Sequence, residues 1–191
     1  FDDSYTADAN FTSGTHYYYI FRDARLGGTD ALNYFQGGAG NDDIVGNGTT
    51  RIVYSDATAG VTVDLATGTV TGDASVGTDT VSGIGSVTGS SAADLMTGSD
   101  TDNETFEGGK GNDTLDGGGG DDWASYRSDI AGVSVDLAAG TATDGWGNTD
   151  TLIRIERISG SAFGDNLSGD SGDNWLRGEA GNDTINGGGG N

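Results

Sequence analysis

Read by polarity alone, the chain lacks long amphipathic runs and instead repeats a very short pattern. A single apolar residue flanked by polar ones recurs every nine residues, as in Ile44 and Val53, Leu115 and Ala124, and Leu167, Leu176 and Ile185. Phe35 and Met96 fit the same place, and Phe106 is displaced by one extra residue. Such a pattern predicts a short strand that shows one side chain to a thin core, with the other six residues forming a turn. Each block opens on glycine. The first set is GTDALNYFQ, GGAGNDDIV and GNGTTRIVY from Gly28, Gly37 and Gly46; GSSAADLMT and GSDTDNETFE follow from Gly89 and Gly98. GGKGNDTLD and GGGGDDWAS start at Gly108 and Gly117, and GSAFGDNLS, GDSGDNWLR and GEAGNDTIN at Gly160, Gly169 and Gly178. Position six is Asp or Asn in all of them except one, where Arg51 falls there.

Between the blocks, GVTVDLATGTV from Gly60 and GVSVDLAAGTA from Gly132 alternate apolar and polar residues, break at Thr67-Gly68 or Ala139-Gly140, and resume. Both read as strand, turn, strand. They belong to a longer repeat: YSDATAGVTVDL from Tyr54 returns as YRSDIAGVSVDL from Tyr126, 72 residues later. The chain is therefore about two and a half copies of a unit of about 71 residues. The expected organisation is an N-terminal cap or linker over residues 1–27, a first unit over 28–107 and a second over 108–191. Because the chain begins at Phe1 and stops within a glycine run, it reads as an excerpt of a longer protein.

Composition changes this picture in one respect. A chain with 37 glycines and a net charge of −22 resembles one too polar to fold. Yet 26 of its 30 acids are Asp and proline is absent, which suits tight turns and hard-cation ligands better than a solvating tail. Eight basic residues, only one of them Lys, provide no footprint for nucleic acid or an anionic membrane. No apolar stretch is long enough to span a bilayer, and the absence of Cys excludes disulfides and thiolate metal sites. The single histidine, His16, leaves no HExxH, and any Ser-His-Asp or Cys-His arrangement would have to use it. A two-carboxylate hydrolase would need acids that the turns have not already taken.

In a coil of two strands per turn, turns 18 residues apart stack about 4.8 Å from each other. Position-six carboxylates would then pair as Asp94 with Asp113, Asn103 with Asp122, and Asp165 with Asp183, while Asn174 would await whatever follows Asn191 and Asn33 would face Arg51. Stacked carboxylates repel unless neutralised. An all-oxygen cage of carboxylates and loop carbonyls suits Ca²⁺. An EF-hand starting at Asp100 fails, because its twelfth residue is Gly111.

GGAGNDDIV, GGKGNDTLD and GGGGDDWAS match G-G-x-G-x-D-x-U-x, and over roughly residues 28–191 the chain resembles the RTX (hemolysin-type calcium-binding) repeat family. The resemblance implies an all-β, right-handed parallel β-roll or β-helix solenoid with stacked turns holding several Ca²⁺ ions. It also implies a secreted bacterial protein exported by type I secretion. Carbonyls at positions two and four and the position-six side chain would be the ligands. Carried over, these are Gly38, Gly40 and Asp42; Gly109, Gly111 and Asp113; Gly118, Gly120 and Asp122; Gly172 and Asn174; and Gly181 and Asp183, with Asp94, Asn103 and Asp165 in the remaining blocks. Asn at three sixth positions and the long non-repeat stretches depart from the family. In those stretches Asp73, Asp79, Asp144 and Asp150 are either further cation ligands or solvated loop acids.

Position seven should face outward, placing Tyr34, Ile52, Trp123 and Trp175 on one sheet and Asp43, Thr114, Asn166 and Thr184 on the other. The aromatic row is either covered by the intervening hairpins or a stacking platform for a polysaccharide, cell-surface glycan or protein, with Trp146 able to join either. The expectation is a secreted, non-catalytic calcium-binding module that folds on meeting extracellular Ca²⁺. The alternative is a carbohydrate-binding or adhesin module.

Overall fold

The computed structural model describes residues 34–190 and the backbone of two strands that precede them. The fold is all-β, with no helix among the described residues. The first strands are β1 (Tyr5–Thr6), β2 (Thr15–Tyr19), β3 (Tyr34–Gln36), β4 (Asn41–Val53), β5 (Thr62–Asp64) and β6 (Thr69–Thr71). Next come β7 (Thr78–Thr88), β8 (Leu95–Thr97), β9 (Thr105–Glu107), β10 (Thr114–Asp116), β11 (Trp123–Ser125) and β12 (Ser134–Asp136). The last are β13 (Thr141–Thr143), β14 (Thr149–Ile153), β15 (Arg157–Ser159), β16 (Asn166–Ser168), β17 (Trp175–Arg177) and β18 (Thr184–Asn186). Of residues 1–27, where a cap was expected, only the backbone of β1 and β2 is described. Those strands pair in parallel with β3 and β4.

All strands join one mostly parallel sheet that curves back on itself. Two ladders can be followed through it. The first runs β2, the first half of β4, the first half of β7, β6, β5, β8, β10, β14, β13, β12, β16 and β18. The second, wholly parallel, runs β1, β3, the second half of β4, the second half of β7, β9, β11, β15 and β17. Nonapeptides two blocks apart pair in register, as in Leu95↔Thr114, Thr105↔Trp123 and Asn166↔Thr184. Inward side chains from both ladders form a single core, in which Ile44, Val63, Met96, Phe106, Ile158 and Leu167 are fully buried. The core opens toward the C-terminal end, where Leu176 is half-buried and Ile185 is 50% exposed.

Three sequence expectations change. The block from Gly46 is not a turn followed by a strand. Instead β4 and β7 each pass without interruption from one ladder to the other, bending at Gly46 and Gly83. Gly83 has φ +62, and a Cβ on it would lie 2.6 Å from the Gly46 carbonyl oxygen, so neither backbone has room for a side chain. The pairing of β4 with β7 shifts on either side of Thr50, which moves the count by one. Arg51 therefore lies opposite Tyr34 and Ser86 on the outer face, Thr50 is the buried residue, and Ile52 turns into the core at 1% exposure rather than outward. Asn33, the expected partner of Arg51, lies outside the described residues; Arg51 pairs with Glu107 at 3.1 Å. Finally, the hairpins β5–β6 and β12–β13 form as expected but insert into the first ladder by antiparallel pairing, so they do not cover the aromatic row on the second.

Candidate metal centre

Each turn delivers its sixth residue immediately before a strand whose next-but-one residue is fixed in the core. Side chains two apart in an extended segment share a face, so position six must also point inward. Asp42, Asp94, Asp113, Asp122 and Asp165 are accordingly buried, at 0–4% exposure. Each inward carboxylate folds back over the first residue of its own block. A Cβ on Gly117 would lie 2.6 Å from Asp122 Oδ2, and Gly89, Gly108, Gly160 and Gly178 stand in the same relation to their acids. Glycine at position one is thus the space that the carboxylate occupies.

The buried acids are linked along each stack by hydrogen bonds from backbone to side chain. In the first stack the Val61 N–H donates to Asp94 Oδ1 (2.7 Å), the Asp94 N–H to Asp113 Oδ1 (2.9 Å) and the Asp113 N–H to Asp150 Oδ1 (3.0 Å). The same contact joins Val133 to Asp165 (2.8 Å), Asp165 to Asp183 (3.0 Å) and Asp42 to Asp79 (3.0 Å). In the second stack the Glu104 N–H donates to Asp122 Oδ1 (2.7 Å) and the Asp122 N–H to Glu156 Oε2 (3.0 Å). One oxygen of each carboxylate therefore holds the neighbouring turn. The other oxygen of Asp113 and of Asp122, in each case Oδ2, is buried without a hydrogen-bond donor.

Electrostatics shows the consequence of this crowding. Burial, and then the neighbouring carboxylates of Asp150, Asp94 and Asp144, push Asp113 up to about 7. Burial followed by Glu104 and Glu156 does the same to Asp122, also to about 7. Burial likewise raises Asp79 and Asp129 to about 7 and Asp150 to about 6, and it raises Asp94 and Glu104 as well. Among the described residues no three acidic or histidine side chains converge tightly enough to hold an ion unaided. Any centre must therefore combine one or two carboxylates with backbone carbonyls. The donor set is then all oxygen, with orphaned buried carboxylate oxygens at its heart, which fits Ca²⁺.

A family model described as the RTX calcium-binding nonapeptide repeat matches four copies within residues 27–49, 99–126 and 159–191. The chain carries RTX calcium-binding nonapeptide repeats. No curated protein matches it. RTX repeats are a non-catalytic module typical of secreted bacterial proteins, and no helix among the described residues is long and apolar enough to cross a membrane.

Within the RTX repeats the stacked pairs Asp94 with Asp113 and Asp165 with Asp183 are brought together, whereas Asn103 with Asp122 is not. The extra residue of that block puts Glu104, 1% exposed, in the buried place, while Asn103 is exposed and accepts the Asp121 N–H at 2.9 Å. Gly38, Gly40, Gly109, Gly111, Gly118, Gly120 and Gly181 all have positive φ, but Gly172 does not. Asn174 is half-buried and accepts the Asp170 N–H at 2.8 Å. Of the loop acids left open, Asp79, Asp144 and Asp150 are buried and Asp73 is held at the surface by Thr58 and Ser75. No repeat position pointed to Glu156 or Asp129. For Glu104 the one-residue insertion was the available signal.

The RTX repeats leave the second ladder's outer row as Tyr34, Arg51, Ser86, Thr105, Trp123, Arg157 and Trp175. Tyr34 is thus remote from the tryptophans, and Trp146 lies elsewhere, in the β13–β14 loop. Trp123 and Trp175 stand 6.1 Å apart and tilted by 49°, with the Arg157 guanidinium 5.7 and 5.3 Å from their ring centres. The Arg157 guanidinium packs against both rings and the row continues as Thr105, Ser86 and Arg51, so it is not a continuous aromatic platform and gives no support to a glycan site.

Proposed function

We propose that Ca²⁺ binds in the turns ending at Asp42, Asp113, Asp122 and Asp183. The carbonyls of Gly38 and Gly40, Gly109 and Gly111, Gly118 and Gly120, and Gly181 would complete the ligand sets. Binding then drives the two units, 28–107 and 108–191, into a right-handed parallel β-roll outside the cell, leaving the ion-free chain unfolded for export. The observation that carries this reading is the pair of buried, donorless oxygens, Asp113 Oδ2 and Asp122 Oδ2, within files of carboxylates whose ionised forms burial already disfavours. Bound Ca²⁺ supplies the positive charge that these oxygens lack. Sites of the affinity usual for extracellular modules, with Kd of ~10⁻⁴ to 10⁻³ M, stay empty in the cytosol and fill at millimolar Ca²⁺. Each then contributes roughly 0.4–1.4 kcal/mol, so several are needed to fold the chain. Far-ultraviolet circular dichroism during a Ca²⁺ titration tests the proposal. Folding should appear cooperatively near millimolar Ca²⁺ and vanish in chelator; a chain equally folded in excess EGTA would sink it.

A further inference from the structure

Seven of the turns fall into two kinds, and the difference lies at position two. In Gly37–Asp42, Gly108–Asp113, Gly117–Asp122 and Gly178–Asp183, positions two and four both have positive φ, including Glu179 at +63°. In Gly89–Asp94, Gly98–Glu104 and Gly160–Asp165, position two is serine and lies outside that region. The serine satisfies the carboxylate itself. Ser90 donates its N–H to Asp94 Oδ2 (2.7 Å) and its hydroxyl to Oδ1 (2.8 Å), and Ser161 does the same to Asp165 (2.8 and 2.7 Å). The Ser99 hydroxyl donates to Glu104 Oε1 at 2.7 Å. No oxygen of Asp94, Glu104 or Asp165 is an orphan, in contrast to Asp113 and Asp122.

The two kinds are also stacked in a fixed order. Each serine turn donates the N–H of its buried acid to the acid of the glycine turn that follows 18 or 19 residues later: Asp94 to Asp113, Glu104 to Asp122, Asp165 to Asp183. The glycine turn in return lies directly on the serine turn's carbonyls. A Cβ on Gly109 would be 2.9 Å from the Ser90 carbonyl oxygen, and one on Gly111 would be 2.5 Å from that of Ala92. Gly118 and Gly181 meet the carbonyls of Ser99 and Phe163 still more closely.

Building on the calcium reading above, we propose that the serine turns are ion-free templates in which serine donors replace the metal, and that Ca²⁺ is held by the carboxylates of the glycine turns alone. Asp94, Glu104 and Asp165 then position the next turn and ligate nothing. Native mass spectrometry of the whole chain with Ca²⁺ as the probe tests this. Asp113→Asn and Asp122→Asn should each lower the ion count by one. Asp94→Asn, Glu104→Gln and Asp165→Asn should keep the wild-type count. Ser90→Ala and Ser161→Ala, which leave every carboxylate in place and remove only a hydroxyl donor, should also keep it while lowering the melting temperature of the loaded protein. Loss of an ion from Asp94→Asn or Asp165→Asn, or an altered count in either serine variant, overturns the template assignment but leaves calcium binding standing. A wild-type chain that holds no Ca²⁺ overturns both.

Discussion

Replacing Asp113 with Asn should stabilise the ion-free chain, and by less once calcium is present. Asn keeps the oxygen that accepts the Asp94 N–H and removes only the charge, so the stacking contact survives. Moving this carboxyl from its ordinary 3.8 to about 7 means that the folded, ion-free chain is destabilised by its ionisation. Because the folded value is the raised one, the penalty is absent below the ordinary value, grows as pH climbs toward 7, and is complete above it. At ~1.36 kcal/mol per tenfold, it amounts to ~4 kcal/mol at pH 7.5 and ~2 kcal/mol at pH 5.5. In EGTA, with folding induced by trimethylamine N-oxide, Asp113→Asn should fold at lower osmolyte concentration than wild type, and its advantage should roughly halve at pH 5.5. In millimolar Ca²⁺ its advantage should shrink by the roughly 0.4–1.4 kcal/mol that one site contributes, because the variant loses a ligand. If the variant is less stable in EGTA at pH 7.5, or its advantage does not change with pH, the account of Asp113 as an uncompensated buried charge is wrong.

Ion-free wild type should itself fold more readily as pH falls from 8 to 5, since Asp79, Asp113, Asp122 and Asp129 all lie near 7 in the folded state. Circular dichroism in EGTA across that range reads it, and a flat response would contradict the crowding argument. Gly118→Ala forces a Cβ into a φ of +83° and against the Ser99 carbonyl, so it should cost at least ~1–2 kcal/mol and raise the Ca²⁺ midpoint of folding. In the loaded protein Phe106→Ala, fully buried, should cost ~3–5 kcal/mol in denaturant. Trp175→Ala, half exposed and packed against Trp123 and Arg157, should cost ~1 kcal/mol.

Where the sequence was regular, it was a sufficient guide. The nine-residue spacing put Met96, Leu115, Phe106, Ala124 and Leu167 in the core; Ile158, which belongs to no block, entered it through its pairing with Ala124 and Leu176. The errors arose where a single residue was gained or the turn was dispensed with. At Glu104 the insertion was absorbed inside the turn, because the strand register of Phe106 with Ala124 is held by backbone pairing. At Arg51 the strand bent instead of turning, and Arg51 and Ile52 exchanged faces.

From its sequence alone this chain could be read as all-β, repetitive, acidic and built for a hard cation, because those properties follow from residue type and period. Glycine permits the turns, position eight names the core, and Asp supplies oxygen. Which acids actually meet was decided only by the tertiary stack. Asp113 lies beside Asp94 by period, but it meets Asp150, 37 residues on, only because an antiparallel hairpin was inserted between successive turns. Likewise no spacing rule separates Asp94 from Asp113. One is satisfied by Ser90 and the other is left with a buried bare oxygen. The cost of a buried charge depends on the donors packed around it, and those are brought together by the fold.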